Sequence, residues 1–107
     1  DLDEIYTAAR NCMAVNAYVP AVLTARTILM HVAVEFGADE GKSFANYVDY
    51  LVDNGYTPPR SKAWIDHVRT KGNAATHKID LMTRDDAEKV LRFIEMLLLF
   101  NYEFPRA

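Results

Sequence analysis

The sequence predicts an all-α fold, an antiparallel bundle of about five helices that forms a single domain over residues 1–107. Apolar residues recur at spacings of three and four along most of the chain, which is the period of one helix face. Breaks that contain glycine, proline or asparagine divide these stretches into five segments. No stretch alternates strictly between apolar and polar residues, as a half-buried strand would. A chain of this length, half of it hydrophobic, can bury one core.

The first two predicted helices are separated by a short break at residues 16–18. The first helix covers residue 3 to about residue 15 and starts with acidic residues, which suit the positive end of the helix dipole. The second runs from about residue 19 to residue 36 and begins near Pro20, because the missing N–H of proline is harmless in a first turn. It is apolar around much of its circumference, so we expect it at the centre of the bundle.

Serines mark the expected starts of the third and fourth helices, Ser43 and Ser61, since a serine side chain can accept from a free N–H of the first turn. The third helix places its apolar residues on one face and ends at Asn54-Gly55, a signal of left-handed termination. Residues 57–60 contain two prolines and cannot be helical. The fourth helix then carries the chain to residue 77.

The fifth helix follows a short extended link predicted at residues 79–82 and runs to about residue 102. Thr83 and Asp86 nearly match a capping box, with Asp in the place of the usual Glu or Gln. Two ion pairs are expected along this helix, Asp85 with Lys89 and Glu88 with Arg92.

Composition argues against several classes of protein. The longest apolar run, residues 96–100, is far shorter than the roughly 18 residues of a membrane span, and the N-terminus lacks the features of a secretion signal. We therefore expect a cytoplasmic protein with no membrane partner. Cys12 is the single cysteine, which rules out an internal disulfide. No metal-ligand spacing recurs, so neither a metal nor a cofactor is expected.

Charge is distributed unevenly along the chain. Residues 60–78 contain five basic residues and only one acidic residue, Asp66, whereas the remainder contains seven basic and fourteen acidic residues. A basic segment on an acidic body indicates an anionic ligand at that segment. It disfavours the wrapping of a long nucleic acid, which needs a broad basic face.

The candidate site lies in the middle of this basic segment. On a helix, Arg69, Asn73 and His77 would form one slanting stripe, because each step of four residues turns the side chain by only about 40°. His77 is the candidate acid-base residue, since imidazole titrates near neutrality; the alternative is that it bonds a carbonyl at a helix end. Lys71 is a candidate phosphate ligand together with Arg69. Gly72 indicates either close backbone packing or the end of the helix.

Three further residues have alternative roles. Arg26 is the only basic residue of the apolar second helix, so it must extend to solvent, pair with a carboxylate such as Glu35, or bind a ligand. His31 is expected in the interior or at an interface. His67 is expected to be exposed, on the face of the fourth helix opposite Trp64.

Five runs of the chain carry a family resemblance: residues 8–12 (AARNC), 18–29 (YVPAVLTARTIL), 50–55 (YLVDNG), 68–77 (VRTKGNAATH) and 85–87 (DDA). In this order they resemble a bacterial helical domain of unknown function that is placed in the HEPN (higher eukaryotes and prokaryotes nucleotide-binding) superfamily. The resemblance covers nearly the whole chain, and its most specific part is Gly72-Asn73-Ala74-Ala75-Thr76-His77.

The resemblance implies a HEPN-like antiparallel bundle that often forms homodimers and occurs alone or fused to restriction and defence proteins. It also implies that catalytic relatives cleave RNA without metal, using an Arg four to six residues before a His. His77 matches that His, and Asn73 matches the polar position four residues before it. The position of the catalytic Arg is occupied by Gly72 in this chain, and Arg69 lies further away.

Two functional hypotheses follow. The favoured one is a non-catalytic dimerisation or interaction module, with a nucleotide or RNA as candidate ligand and a fused or neighbouring defence or nucleic-acid-processing protein as partner. The alternative is a metal-independent ribonuclease in which His77 transfers protons, Asn73 orients the substrate and Arg69 or Lys71 neutralises the phosphate. Arg26 is a further candidate ligand contact.

Overall fold

The computed structural model describes residues 2–77 and 83–103, and within these ranges every regular element is a helix, with no strand. Five α-helices form a small bundle, followed by a short π-helical segment, so the predicted fold class is confirmed. The elements are α1 (Leu2–Ala14), α2 (Tyr18–Glu35), α3 (Phe44–Asp53), α4 (Lys62–His77), α5 (Arg84–Leu98) and the π-helical segment Leu99–Glu103.

Helix α2 is the centre of the bundle, as predicted, and packs against α1, α3, α4 and α5. Its buried residues recur at spacings of three and four, so they occupy one broad face. Burying a large aliphatic side chain contributes roughly 1.5–3 kcal/mol, which makes this face a principal source of stability. The buried residues are Ala21, Val22, Ala25, Ile28, Leu29, Val32 and Ala33.

The first three helices end in the same way, with a residue in the left-handed region directly after the C-cap. Gly55 has φ +78°, and the next N–H, of Tyr56, donates to the carbonyl of Leu51 at 2.9 Å. This is a Schellman motif, and it confirms the predicted end of α3. Asn16, with φ +61°, ends α1 in the same way, because asparagine tolerates this conformation better than most residues with a β-carbon.

Gly37 ends α2 and has a packing role as well as a conformational one. Its φ is +109°, and a β-carbon at this position would lie 2.9 Å from the hydroxyl oxygen of Tyr50. That hydroxyl donates to the carbonyl of Phe36 at 2.8 Å, so it cannot move away without losing a hydrogen bond. The contact fixes the end of α2 against α3.

Side-chain caps begin α3 and α5 where they were predicted. The Ser43 hydroxyl accepts from the N–H three residues later at 3.1 Å. Thr83 and Asp86 form a reciprocal capping box, so aspartate is long enough to take the place of glutamate here. Ser61 directly precedes α4, and its hydroxyl donates to the carbonyl of Pro58 at 2.6 Å.

Helix α4 has its predicted extent, whereas the end of α5 differs from the prediction. Helix α4 continues through Gly72 to His77, so of the two alternatives for Gly72 the end of the helix is excluded. Helix α5 stops at Leu98, earlier than predicted, and continues as the π-helical segment. There the Asn101 side-chain amide donates to the carbonyls of Leu97 and Tyr56, both at 2.9 Å. The Leu97 carbonyl would otherwise accept only from the backbone of the helix, and a side chain that bonds to such a carbonyl disturbs the α-helical pattern. The predicted link at residues 79–82 lies outside the described residues.

No helix in residues 2–77 or 83–103 is long and apolar enough to cross a membrane.

Candidate functional site

Helix α4 carries most of the predicted site residues, and apolar contacts hold it in place. Ile65 and Val68 are buried in the core. Trp64 packs edge-on against Phe93 of α5 with ring centroids 5.4 Å apart, and its indole N–H donates to the carbonyl of Lys89 at 2.9 Å. The polar residues of α4 therefore project from a fixed helix.

Arg69 is directed toward α3 and neutralised there. One terminal nitrogen donates to Asp66 at 3.0 Å, and the other donates to Asp49 of α3. Its Nε is buried and has no hydrogen-bond partner among the residues that the structure describes. Lys62 also contacts Asp66, at 2.9 Å, and this hydrogen bond is the main cause that lowers the pKa of Asp66, with Arg69 adding to it. Arg69 thus sits in an ion-pair network that joins α3 and α4.

Lys71 is directed toward α5, on a different side of α4. Its ammonium lies 3.3 Å from one oxygen of Asp86, and Nε2 of His67 lies 3.3 Å from the other. Burial raises the pKa of the Asp86 carboxyl, but hydrogen bonds from Thr83, His67 and Lys71 together lower it by more. Asp86 therefore caps the N-terminus of α5 and also contacts two side chains of α4. We call His67, Lys71 and Asp86 the α4–α5 latch.

Asn73 and His77 both lie on the continuous helix α4, as the stripe hypothesis requires. Their side chains lie outside the described part of the chain, so their roles stay predictions. The structure does not bring Arg69 and Lys71 together, because Arg69 contacts acids on α3 and α4 whereas Lys71 contacts an acid on α5.

The side chain of Arg26 lies against an aromatic ring of α3. Its guanidinium carbon lies 5.1 Å from the centre of the Phe44 ring, a cation–π contact, and burial lowers the pKa of Arg26. Glu35, the suggested carboxylate partner, instead accepts a hydrogen bond from the Tyr102 hydroxyl at 2.7 Å.

The two histidine predictions have different outcomes. His31 is exposed in the described part of the structure, so it is not an interior residue, and its alternative place at an interface stays a prediction. His67 is not exposed: its side chain retains only 23% of its accessible surface, because it leans onto Asp86 of α5. Its Nδ1 is buried without a hydrogen-bond partner among the described residues.

Sequence reasoning missed the two acids that organise α4, Asp49 and Asp86. Asp86 was predicted to be part of a capping box. Its contacts with α4 join residues that are distant in the sequence, so no short sequence pattern indicates them. Asp49 lies 20 residues from Arg69, so only the packing of α3 on α4 brings them together.

The outward face of α2 is a second notable surface. Pro20, Leu23, Thr27 and His31 form this face; they are exposed, carry no acidic or lysine or arginine side chain, and follow each other at spacings of three and four. Leu23 keeps 37% of its surface exposed. The hydroxyl of Thr27 donates to the carbonyl of Leu23 at 3.2 Å, so it has a partner within the helix. The outward face therefore combines two apolar residues, Pro20 and Leu23, with two polar ones, of which Thr27 is already hydrogen-bonded within the helix.

A cleft lies where the chain passes from α3 to α4. Its volume is about 480 Å³, and its lining includes the two prolines of residues 57–60, with Arg60, Lys62 and Arg69 among the polar residues. A metal centre has no support here or elsewhere in the described ranges, because no group of three or more His, Cys, Asp or Glu residues is placed to hold an ion.

These features define a small helical domain in which apolar contacts and ion pairs together hold α4, and in which α2 has one exposed face. The chain belongs to the family described as Domain of unknown function (DUF4145), whose model matches residues 7–107. Neither a curated protein nor a solved structure matches the chain significantly.

Proposed function

We propose that the chain is a single, cytoplasmic, non-catalytic interaction domain that forms a homodimer through the outward face of α2. Its resemblance to HEPN domains supports a nucleotide or RNA as ligand, and a fused or neighbouring defence or nucleic-acid-processing protein as partner. The observation that carries the proposal is the outward face itself, an exposed stripe on the central helix that consists of Pro20, Leu23, Thr27 and His31.

A second copy of the same chain suits this face for an electrostatic reason. When two identical surfaces meet about a two-fold axis, a patch with net charge of one sign faces a patch with the same net charge, so strongly charged faces tend to repel each other. The four residues of the outward face include no Lys, Arg, Asp or Glu, and the one basic residue of the helix, Arg26, lies over Phe44. The exposed Glu35 follows His31 at the C-terminal end of α2, so the least charged contact between two copies is centred on Pro20, Leu23 and Thr27.

The contacts of Arg69 and Lys71 support a non-catalytic role. A cation that stabilises a phosphate during RNA cleavage must be able to reach it, and both of these already contact carboxylates. A phosphate would have to compete with Asp49 and Asp66 for Arg69, and with Asp86 for Lys71.

The dimer is tested by light scattering coupled to size-exclusion chromatography. We expect the wild-type chain, 12.2 kDa, to elute with twice that mass, and Leu23→Glu to elute as a monomer with unchanged helical circular dichroism. A carboxylate on the outward face would lose its hydration without gaining a partner when the two copies associate. Ala63→Glu is the matched control, because Ala63 is exposed in the first turn of α4, where a negative charge suits the helix dipole. A monomeric wild type, or a dimeric Leu23→Glu, would refute the proposed interface.

One observation favours the second candidate, a metal-independent ribonuclease. Helix α4 is unbroken, so Arg69, Asn73 and His77 stand at steps of four on one helix. The test incubates the wild type and His77→Ala with mixed RNA in the presence of a chelator. We expect no cleavage by either protein. Cleavage by the wild type that His77→Ala abolishes would replace the non-catalytic proposal, whatever the outcome of the dimer experiment.

A further inference from the structure

The cleft between α3 and α4 combines a basic rim with an apolar lining. Arg60, Lys62 and Arg69 line it, with Asp66 as the one acidic residue among its described lining. The apolar part of its wall comes from Val52, Ile65 and the two prolines. The lining therefore carries more positive than negative charge within a concave, partly apolar site, and this site lies apart from the outward face of α2.

The three basic residues of the cleft differ in their ion pairs with acidic residues. Arg60 is exposed and forms no ion pair with any residue in the described ranges. Lys62 pairs with Asp66 four residues later, but 89% of its side-chain surface is exposed, and exposed pairs of this kind are weak and easily exchanged. Arg69 is held in position by Asp49 and Asp66 and keeps 33% of its side-chain surface exposed. The cleft thus has two available cations beside one fixed cation.

Arg60 has an unusual backbone conformation for its residue type. Its φ is +63°, in the left-handed region, where a side chain with a β-carbon is disfavoured and glycine or asparagine is more common. Residues held in such conformations concentrate at functional sites, because a use for the side chain offsets the conformational penalty. Glycine or asparagine would suit this turn better, but the position is occupied by an arginine that lines the cleft.

We propose that this cleft binds a small organic anion, with a carboxylate or phosphate head group on Arg60 and Lys62 and a compact apolar body against Val52 and Ile65. The volume of about 480 Å³ lies in the range of roughly 300–1,000 Å³ that is typical of small-molecule sites. In such sites charged groups fix the orientation of the ligand while apolar side chains contact its body, and this cleft supplies both. The inference does not depend on dimerisation or on His77.

The experiment follows backbone amide resonances during titrations with phenyl phosphate, benzoate, inorganic phosphate and benzyl alcohol. We expect saturable shifts confined to residues 52–69 with at least one of the two aromatic anions, and the tighter of them identifies the head group. Inorganic phosphate lacks the apolar body, and benzyl alcohol lacks the charge, so each should bind at least ten-fold more weakly. Absence of saturable shifts with both aromatic anions, or shifts centred elsewhere, would overturn the proposal.

Two variants test whether binding depends on the cations of the cleft or only on the overall charge of the protein. Arg60→Asn removes the cation with a residue that tolerates the left-handed conformation, and Lys62→Gln removes an exposed cation. Each should weaken binding at least five-fold while the remaining resonances keep their positions. Arg84→Gln, an exposed cation at the start of α5 outside the cleft, is the matched control and should bind as the wild type does. Equal affinity in the wild type and in the variant with both cleft substitutions would refute the assignment.

Discussion

Helices α2 and α4 are held in the same bundle by different forces. Helix α2 is placed by apolar burial, with seven residues that have no exposed surface. In the described part of α4 only Ile65 and Val68 are buried, and polar contacts on two sides complete its attachment. One side is the Arg69 network with Asp49 and Asp66, and the other is the α4–α5 latch.

The difference separates the scaffold from the candidate site. Apolar contacts contain no titrating group and are not screened by salt, whereas ion pairs near the surface are individually weak and respond to both pH and ionic strength. Every predicted catalytic residue lies on α4, the helix that depends on polar contacts. The outward face of α2, in contrast, is rigidly supported from within, which suits a surface for association.

The largest expected effect is a cavity in the apolar face of α2. Ile28→Ala should lower the free energy of unfolding by about 2–5 kcal/mol, because it removes a fully buried side chain and the surrounding residues fill the space only in part. Thr27→Ala, at the exposed neighbouring position, should change it by less than about 0.5 kcal/mol. Urea denaturation followed by circular dichroism measures both. Similar losses in the two variants would show that α2 is not anchored by its inner face.

An intermediate effect is expected from the α4–α5 latch. Asp86→Ala removes the reciprocal cap of α5 and the acceptor of His67 and Lys71, so we expect a loss of about 1–3 kcal/mol in the same measurement. Asp85→Ala is the matched control, because Asp85 is 76% exposed and pairs only with Lys89 among the described residues. Its loss should stay below about 1 kcal/mol. If Asp86→Ala and Asp85→Ala lower the free energy of unfolding by the same amount, the latch contributes no more than a surface ion pair.

The fold was predictable because its determinants are local. The periodic apolar residues of α2 and α5, the Ser43 cap, the capping box at Thr83 and the Gly55 turn are each specified by residues close in sequence. The ion pairs of Lys89 with Asp85 and of Arg92 with Glu88 were predicted for the same reason and are present at 3.2 and 3.3 Å. The early end of α5 was missed, because it depends on Asn101 reaching the distant carbonyl of Tyr56.

The candidate site was less predictable because its contacts join separate helices. The basic segment was visible in the sequence, but its charges were counted as available, whereas Asp49 and Asp86 approach Arg69 and Lys71 only after packing. The expected exposure of His67 was wrong for the same reason, since a helical wheel gives relative faces but not which face a neighbour covers.

The smallest expected effect is a dependence of the latch on pH. The pKa of Asp86 is lowered below its ordinary value of 3.8: burial acts in the opposite direction, and hydrogen bonds from Thr83, His67 and Lys71 outweigh it. A carboxyl whose pKa is lowered by folding stabilises the folded state above its unfolded pKa and loses that contribution as the pH falls through the folded pKa. Asp86→Asn keeps a capping side chain but removes this titration.

We therefore expect Asp86→Asn to be less stable than the wild type at pH 7, and this difference to narrow as the pH is lowered from about 5 to about 2. Urea midpoints across that range measure it, with Asp85→Asn as the control whose difference should stay nearly constant. A difference for Asp86→Asn that does not change with pH would mean that its charge contributes nothing to the contact between α4 and α5. The latch would then be held by the geometry of the cap alone, and α4 would depend on Trp64 and the Arg69 network for its position.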